Sequence, residues 1–419
     1  MADDYAQHWN SGNACYERGD LEAARDHFAR ALELAPNSVP ARYNLGVVHR
    51  DLENWETAWI LFIDVIARNR DAAPAYNNLA ILEEHFGLHH AAETHYRQAI
   101  ALKNDFPDAR FNLGMLLLRL GHWQEGFVEC EARWQTSRFT PFRAPHPVWN
   151  GEELRGTLLV HSEQGAGDAI QFVRFLPQAA ERCDRILFIC PERMHRLFEA
   201  LPGVAEMRGP GPIQYGEFAA YLPLMSLPRV LGSTLESLPR HVPYLPLRAA
   251  PFDLGPSPVV DPRLRVGLVW AGSPTHLNDR HRSCSLHDLA PLFDIPGIAF
   301  YSLQTGPQSS ELTDRGKWSS SIVDLGDRLV DYVDTAAVLD QLDLTISVDT
   351  SVLHLAGALG RPAWGLLSAK SDWRGMLDRE DSPWYPTLRL FRQTRLDDWH
   401  ELISRVAATL SRWPSANAH

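Results

Sequence analysis

A 34-residue period over the first 140 residues constrains the fold more tightly than any other feature of this chain. Gly12, Gly46, Ala80 and Gly114 are spaced at that interval, as are Ala24, Ala58, Ala92 and Gly126, and also Phe28, Phe62, Tyr96 and Cys130. A period of this length, small at two columns and aromatic at a third, describes a helical hairpin repeated and stacked. Small residues let the two helices of a hairpin approach closely, and the ring fills the gap between hairpins. Pro36 marks the end of the first unit. The fourth unit has drifted, with Cys130 and Arg133 where Phe28 and Ala31 stood, as expected of a terminal repeat that faces another domain.

The columns match the tetratricopeptide (TPR) pattern, and the segment 1–140 is read as four TPR units. A further column bears on function. Asn10, Asn44, Asn78 and Asn112 recur every 34 residues on the first helix of each hairpin, which lines the concave side of such a solenoid. A carboxamide carries both donor and acceptor, so a ladder of four can grip the amides of an extended acceptor polypeptide. A single Asn there can equally bond the neighbouring helix. The arm resembles the superhelix of O-GlcNAc transferase, which carries a similar ladder.

Past Trp134 the pattern changes. A linker rich in proline and aromatics, "TSRFTPFRAPHPVWNGEELRG", leads into short apolar runs alternating with helical segments: "TLLVHS", "RILFIC" and "AAYLPL". The pattern restarts after the proline-rich stretch Pro239 to Pro262 with "RVGLVWAG", "IAFYSLQ", "IVDLG", "LTISVD" and "PAWGLL". Strand–helix alternation of this kind builds parallel, doubly wound sheets. The expectation is an α-helical solenoid followed by two Rossmann-like α/β lobes with a cleft between them. The boundaries fall at 141–245 for the first lobe and 246–419 for the second. The tail "LDDWHELISRVAATLSRW" is an amphipathic helix expected to cross back and brace the first lobe.

A net charge of −12 argues against a general nucleic-acid or membrane binder. No apolar run is long enough to cross a bilayer, and Met-Ala-Asp-Asp-Tyr lacks a signal-peptide core. Cys15, Cys130, Cys183, Cys190 and Cys284 are odd in number and widely spaced, which reads as reduced thiols. A cytoplasmic location is expected.

Ligands of doubly wound sheets bind outside the carboxyl ends of the strands, and the distinctive motifs fall there: "HSEQGAGD", "WAGSPTHLNDRHRS" and "VDTSVLHLAGALGRP". The first is a poor dinucleotide fingerprint, because G-A-G-D-A-I lacks the third glycine of G-x-G-x-x-G. On "GAGDAIQFVRFLP" and "SVDTSVLHLAGALGRP", residues 155 to 395 resemble GT-B glycosyltransferases of the heptosyltransferase-like family (glycosyltransferase family 9-like). Joined to a TPR arm, the layout is similar to bacterial TPR-linked glycosyltransferases, some of which modify flagellin. The resemblance implies transfer from a nucleotide-sugar donor, with no further cofactor.

For Asp168 and the "DTSVLH" loop it also implies roles, and the chemistry of the other residues at the strand ends suggests theirs. Asp168 is the candidate general base on the acceptor hydroxyl, with Gly165 and Gly167 letting the turn approach the substrates. The alternative is that Asp168 caps the following helix, for which Asp is well suited. Thr350 and Ser351 open the helix "VLHLAGALG", whose amides would cradle a donor diphosphate. His354 can reach a phosphate oxygen, although a lone histidine on a helix is more often structural, and Asp349 fixes the loop or bonds the sugar. In the other loop Asn278, Arg280 and Arg282 cluster; a guanidinium suits the charge developing on the leaving group, and Arg280 is preferred with Arg282 close behind, a solvated charged loop being the alternative for either one singly. Gln304, ending "FYSLQ", would read base or ribose. "SDWRGMLDREDSPWYP" offers Trp373, Arg374, Asp381, Trp384 and Tyr385 for a pyranose, or aromatics for packing the last helix. No D-x-D pair sits at a strand end, so no metal is expected.

Two competing functions use the same residues. One is transfer to a lipid-linked or surface glycan with the repeats docking a partner. The other is a non-catalytic scaffold.

Overall fold

The computed structural model describes residues 2–246, 250–276, 278–312 and 321–413. The chain divides into two compact units, Met1–Pro141 and Phe142–His419.

Eight helices of the first unit pair as four hairpins: Ala2–Glu17 with Leu21–Leu34, Val39–Asp51 with Trp55–Arg68, Ala73–His85 with His89–Leu102, and Pro107–Leu120 with Trp123–Cys130. The small-residue columns act as the sequence suggests. A Cβ on Gly12 would lie 2.7 Å from the Phe28 ring, and one on Gly46 would lie 2.9 Å from the ring of Phe62. Each ring therefore seats directly on the backbone of its partner helix, and Phe28, Phe62 and Tyr96 are buried. Burial of each such side chain stabilises by about 1.5–3 kcal/mol. Asp20 and Ser38 cap the helices that follow them through their side chains. In the drifted fourth unit Gly114 packs so closely that a Cβ would meet the Cys130 amide nitrogen at 2.6 Å. That unit's second helix is only 8 residues long and tightens into a 3-10 turn over Glu131–Gln135.

The second unit holds two parallel sheets. The first lobe has β1 (Leu154–His161), β2 (Cys183–Ile189), β3 (Glu206–Arg208) and β4 (Ala220–Pro223), in the order β3-β2-β1-β4. The second has β5 (Leu264–Val269), β6 (Ile298–Ser302), β7 (Ile322–Asp324), β8 (Leu344–Val348), β9 (Ala363–Leu367) and β10 (Leu388–Arg392), in the order β10-β9-β8-β5-β6-β7. Strands β6, β8 and β9 are buried along their whole length, as in a sheet covered on both faces. The fold is thus a TPR solenoid followed by a two-lobed parallel α/β unit, the GT-B layout.

The last helix, Trp399–Leu410, departs from expectation. Its apolar stripe of Trp399, Leu402, Ile403, Val406 and Leu410 joins the core of the second lobe, with Leu292, Trp364 and Leu366. It completes that lobe instead of bracing the first, because its burial partners already lie on the second sheet. All five cysteines are free thiols; Cys183 is half-buried and the others are buried.

Both sheets place a switch in strand order beside their first strand, β1 against β4 and β5 against β8. A crevice opens outside the carboxyl ends of strands at such a point. "SEQGAGD" follows β1, "AGSPTHLNDRHRS" follows β5 and "DTS" follows β8, so these loops edge the two crevices.

Candidate active site in the cleft

Two helices meet across the cleft: Ala166–Phe172 from the first lobe and Ser351–Ala358 from the second. Gly167 makes the approach possible, since a Cβ there would lie 2.8 Å from Cδ2 of His354. The helix of the first lobe begins at Ala166, so Gly167 and Asp168 belong to its first turn. Gly165 is its N-cap, and its amide donates to Oδ2 of Asp168 at 2.8 Å. The other oxygen, Oδ1, accepts from Arg374 Nη2 at 2.5 Å. Asp168 is therefore both a helix cap, at the third helical position, and half of an ion pair between lobes. Gly167 thus serves the packing of its helix against His354.

Charge is concentrated here. Arg374 also donates to Asp372 Oδ1 at 2.8 Å and, through Nε, to Oε1 of Gln171. Burial raises the Asp168 carboxyl above its ordinary value, against the pull of Arg374 and the Gly165 amide. Burial, reinforced by Asp372, lifts Asp349 to about 6. For Asp372 burial acts in the same upward sense, but the guanidinium and amide of Arg374 outweigh it and hold the carboxyl low. His354 is pushed down to about 3 by burial and by Arg374. The imidazole is neutral, with Nδ1 2.9 Å from the Tyr385 hydroxyl and Nε2 3.8 Å from Asp349. It can offer a phosphate a hydrogen bond but no charge.

Thr350 is the N-cap of the Ser351–Ala358 helix, yet no side chain caps that helix. Its hydroxyl lies 2.9 Å from that of Ser347, and Tyr332 donates to the Ser351 hydroxyl at 3.0 Å. The Leu353 amide turns back to the Thr350 carbonyl at 3.1 Å, which leaves the first two amides of the helix, those of Ser351 and Val352, to face an anion.

The loop after β5 reverses the preferred arginine. Arg282 is mostly buried, donating to Asp279 at 3.2 Å and to the Asp349 carbonyl at 3.4 Å. It lies over Gly272, where any Cβ would overlap its guanidinium. It thus spans the loops after β5 and β8 at the crevice. Arg280 is exposed, and its Nε donates to His281 at 3.1 Å. Helical periodicity in Asp279–Arg282 turns residues two apart to different sides, which spacing in sequence alone did not resolve. Asn278 donates to the Lys370 carbonyl at 3.4 Å and so ties this loop to the one after β9.

Gln304 is a structural residue and does not face the cleft. It is 2% exposed, and its Oε1 accepts from the amides of Trp270 and Ala271 at 3.1 and 2.9 Å. Its Nε2 donates to the carbonyls of Ala271 and Thr305 at 3.1 and 2.9 Å. The side chain staples β6 to the end of β5 and has no capacity left for a base or ribose.

The Asn column is not uniform. Asn78 is buried, donating to Tyr43 and the Pro74 carbonyl at 3.0 and 2.9 Å and accepting from Arg50. It is a structural asparagine and leaves the expected ladder. Asn44 donates to Asn13 and Asn112 to Asn77, each at 3.1 Å, while Asn10 is exposed.

Sequence reasoning passed over Asp372 and Gln171 and gave Arg374 no role beyond a sugar contact. The signal was the loop after β9, "SDWRG", at the carboxyl end of a strand like the other motifs. The aromatics there do pack, but against the other lobe: Trp384 lies 5.9 Å from Phe172 and 6.4 Å from Phe175 between ring centroids. Arg174 from the first lobe donates to the Trp384 carbonyl at 2.8 Å and to the Tyr244 hydroxyl at 2.9 Å. Asp381 pairs with Arg379 at the surface, away from the cluster.

Comparison with known proteins agrees on the repeats. Residues 12–53 match a TPR repeat model and residues 73–106 a tetratricopeptide repeat model. Protein FlbA of Caulobacter vibrioides is 25% identical over 470 aligned residues, covering 95% of this chain and 77% of FlbA. BBSome complex member BBS4 of Xenopus tropicalis is 29% identical over 137 residues, 31% of this chain and 27% of that protein. Among solved structures, a Thermobaculum terrenum O-GlcNAc transferase variant aligns with 98% of this chain and 90% of its own at a TM-score of 0.37 and 15% identity. MamA from Desulfovibrio magneticus RS-1 aligns with 32% of this chain and 77% of its own, at a TM-score of 0.29 and 21% identity. Among the described residues, no helix is long and apolar enough to cross a membrane.

Proposed function

We propose that the chain is an inverting, metal-independent glycosyltransferase. It moves a sugar from a nucleotide-sugar donor to a Ser or Thr hydroxyl of a polypeptide, flagellin-like in the simplest case, held by the TPR repeats. One observation carries the reading: both sheets turn the carboxyl ends of their strands to a single cleft, where Asp168, Arg282 and the amide end of the Ser351–Ala358 helix converge.

In this reading the donor diphosphate lies on that helix start. The amides and Arg282 take up the charge that leaves with the nucleoside diphosphate. The acceptor oxygen attacks the anomeric carbon from the face opposite the leaving oxygen. A new C–O bond forms as the bond to phosphate breaks, and the hydroxyl proton passes to Asp168. A carboxylate has about four lone-pair sites, so Asp168 keeps room for a hydroxyl beside its contacts with Gly165 and Arg374. On the repeats, Asn10, Asn44 and Asn112 are the residues left to hold the acceptor, since Asn78 is spent on its neighbours.

Asp168→Asn tests the assignment. The amide can still accept at one atom but cannot take the proton, so transfer should fall about 10²–10⁴-fold with nucleotide affinity retained. Full transfer by the variant would exclude Asp168 as base.

A further inference from the structure

We propose that Arg374 is the positioning residue for Asp168, a cross-cleft strut that fixes that carboxylate only while the two lobes are closed on one another. The inference rests on the transfer chemistry proposed above. Arg374 belongs to the second lobe, in the 3-10 turn Trp373–Gly375 after β9. Two of its three side-chain partners, Asp168 and Gln171, lie on one helix of the first lobe at a spacing of three residues, which places them on the same helical face. The third, Asp372, anchors the guanidinium in its own lobe at 2.8 Å. The plane of the guanidinium also lies near two rings, with Cζ 4.7 Å from the Trp373 centroid and 5.8 Å from that of Phe172. One side chain thus takes its aim from both lobes. If the lobes part, Asp168 loses its charged partner and keeps only the Gly165 amide.

The groups facing Asp168 give this arrangement a consequence for pH. Arg374 and Asp372 reach it from the loop after β9, His276 from the loop after β5, and Asp349 from the end of β8. His354 packs beside it on the facing helix as a neutral ring. Of these, Arg374 is the group in direct contact that holds a permanent positive charge. It opposes burial and the two neighbouring carboxylates, so its loss should raise the pH below which the base is lost.

The test is the pH profile of kcat/KM for transfer by wild type, Arg374→Ala and Arg374→Lys. Removing a cation at this distance should move the acid limb up by about 1–3 pH units, and Arg374→Lys should return most of that shift. A uniform fall in rate with the limb unmoved would overturn the proposal. Where Arg374→Ala fails to fold, Arg374→Gln takes its place with the same expected shift. A second reading needs no substrate: a thermal-denaturation cycle of Asp168→Asn, Arg374→Ala and the double variant at pH 7. Non-additive changes in Tm support the strut, and additive ones overturn it even if transfer is observed. If wild type moves no sugar from any donor, the proposed function fails while the cycle still reports on the strut.

Discussion

Gly167→Ala should loosen the junction of the two lobes. The new methyl would sit 2.8 Å from Cδ2 and 3.5 Å from Nε2 of His354. The ring has little freedom to retreat. It is held by the Tyr385 hydroxyl at 2.9 Å, and Tyr385 is itself pressed against Gly357, where any Cβ would overlap its ring. Two effects oppose one another. Alanine is favoured over glycine in a helix by at most about 1 kcal/mol, and less in a first turn, where few helical bonds are yet formed. Overpacking in a site that cannot relax costs about 1–3 kcal/mol, so the clash should win. For a unit of this size 1 kcal/mol corresponds to about 2–4 °C in Tm, giving an expected fall of roughly 2–10 °C. Gly216→Ala is the control, since nothing lies within 4 Å of its added Cβ. It should stay within about 0.5 kcal/mol of wild type. Calorimetry of the three proteins decides the matter: a Gly167→Ala variant as stable as the control would show that the His354 ring yields to the added methyl without cost.

Acid titration separates two neighbours in the cleft. His354, ordinarily near 6.5 and here near 3, contributes stability that is present above pH 6.5 and lost as pH falls towards 3. Asp349, ordinarily near 3.8 and here near 6, acts in the opposite sense: its term is present below pH 3.8 and lost as pH rises through 6. Each contributes at most about 1.4 kcal/mol per pH unit, so the two nearly cancel between pH 4 and 6. Urea unfolding across that window should show stability falling more steeply with acid in Asp349→Asn than in wild type, and less steeply in His354→Gln. The two loop arginines should also part company. Arg282→Ala should weaken nucleotide binding by about 10–100-fold, the equivalent of a lost charge-assisted hydrogen bond. Arg280→Ala should change it less than threefold, and calorimetric titration with the donor nucleotide reads both.

The repeat array was legible because its period is enforced by contact. Gly12 faces Phe28 and Gly46 faces Phe62 so closely that the columns cannot drift without rebuilding the hairpin. Eight of the ten strands stood out as apolar runs bounded by turn residues. β3 did not, being three residues long, and β10 reads Leu-Arg-Leu-Phe-Arg at a sheet edge, where charge interrupts the run. At the site, strand ends gave the right loops but not the direction of each side chain. Gln304 and Asn78 look like ligand-binding amides in sequence; each is consumed by backbone or neighbouring groups that approach only in three dimensions. The ion pair of Asp168 with Arg374 spans 206 residues of chain and closes across two lobes, so no local pattern could announce it.

The most direct test of the central claim is a thermal-shift series with UDP, GDP, ADP, dTDP and CMP, repeated on Arg282→Ala. A ligand at 100 times its Kd stabilises by about 2.7 kcal/mol. The account predicts that one nucleoside diphosphate raises Tm selectively and that Arg282→Ala removes most of the shift. No stabilisation by any of them at millimolar concentration would contradict it.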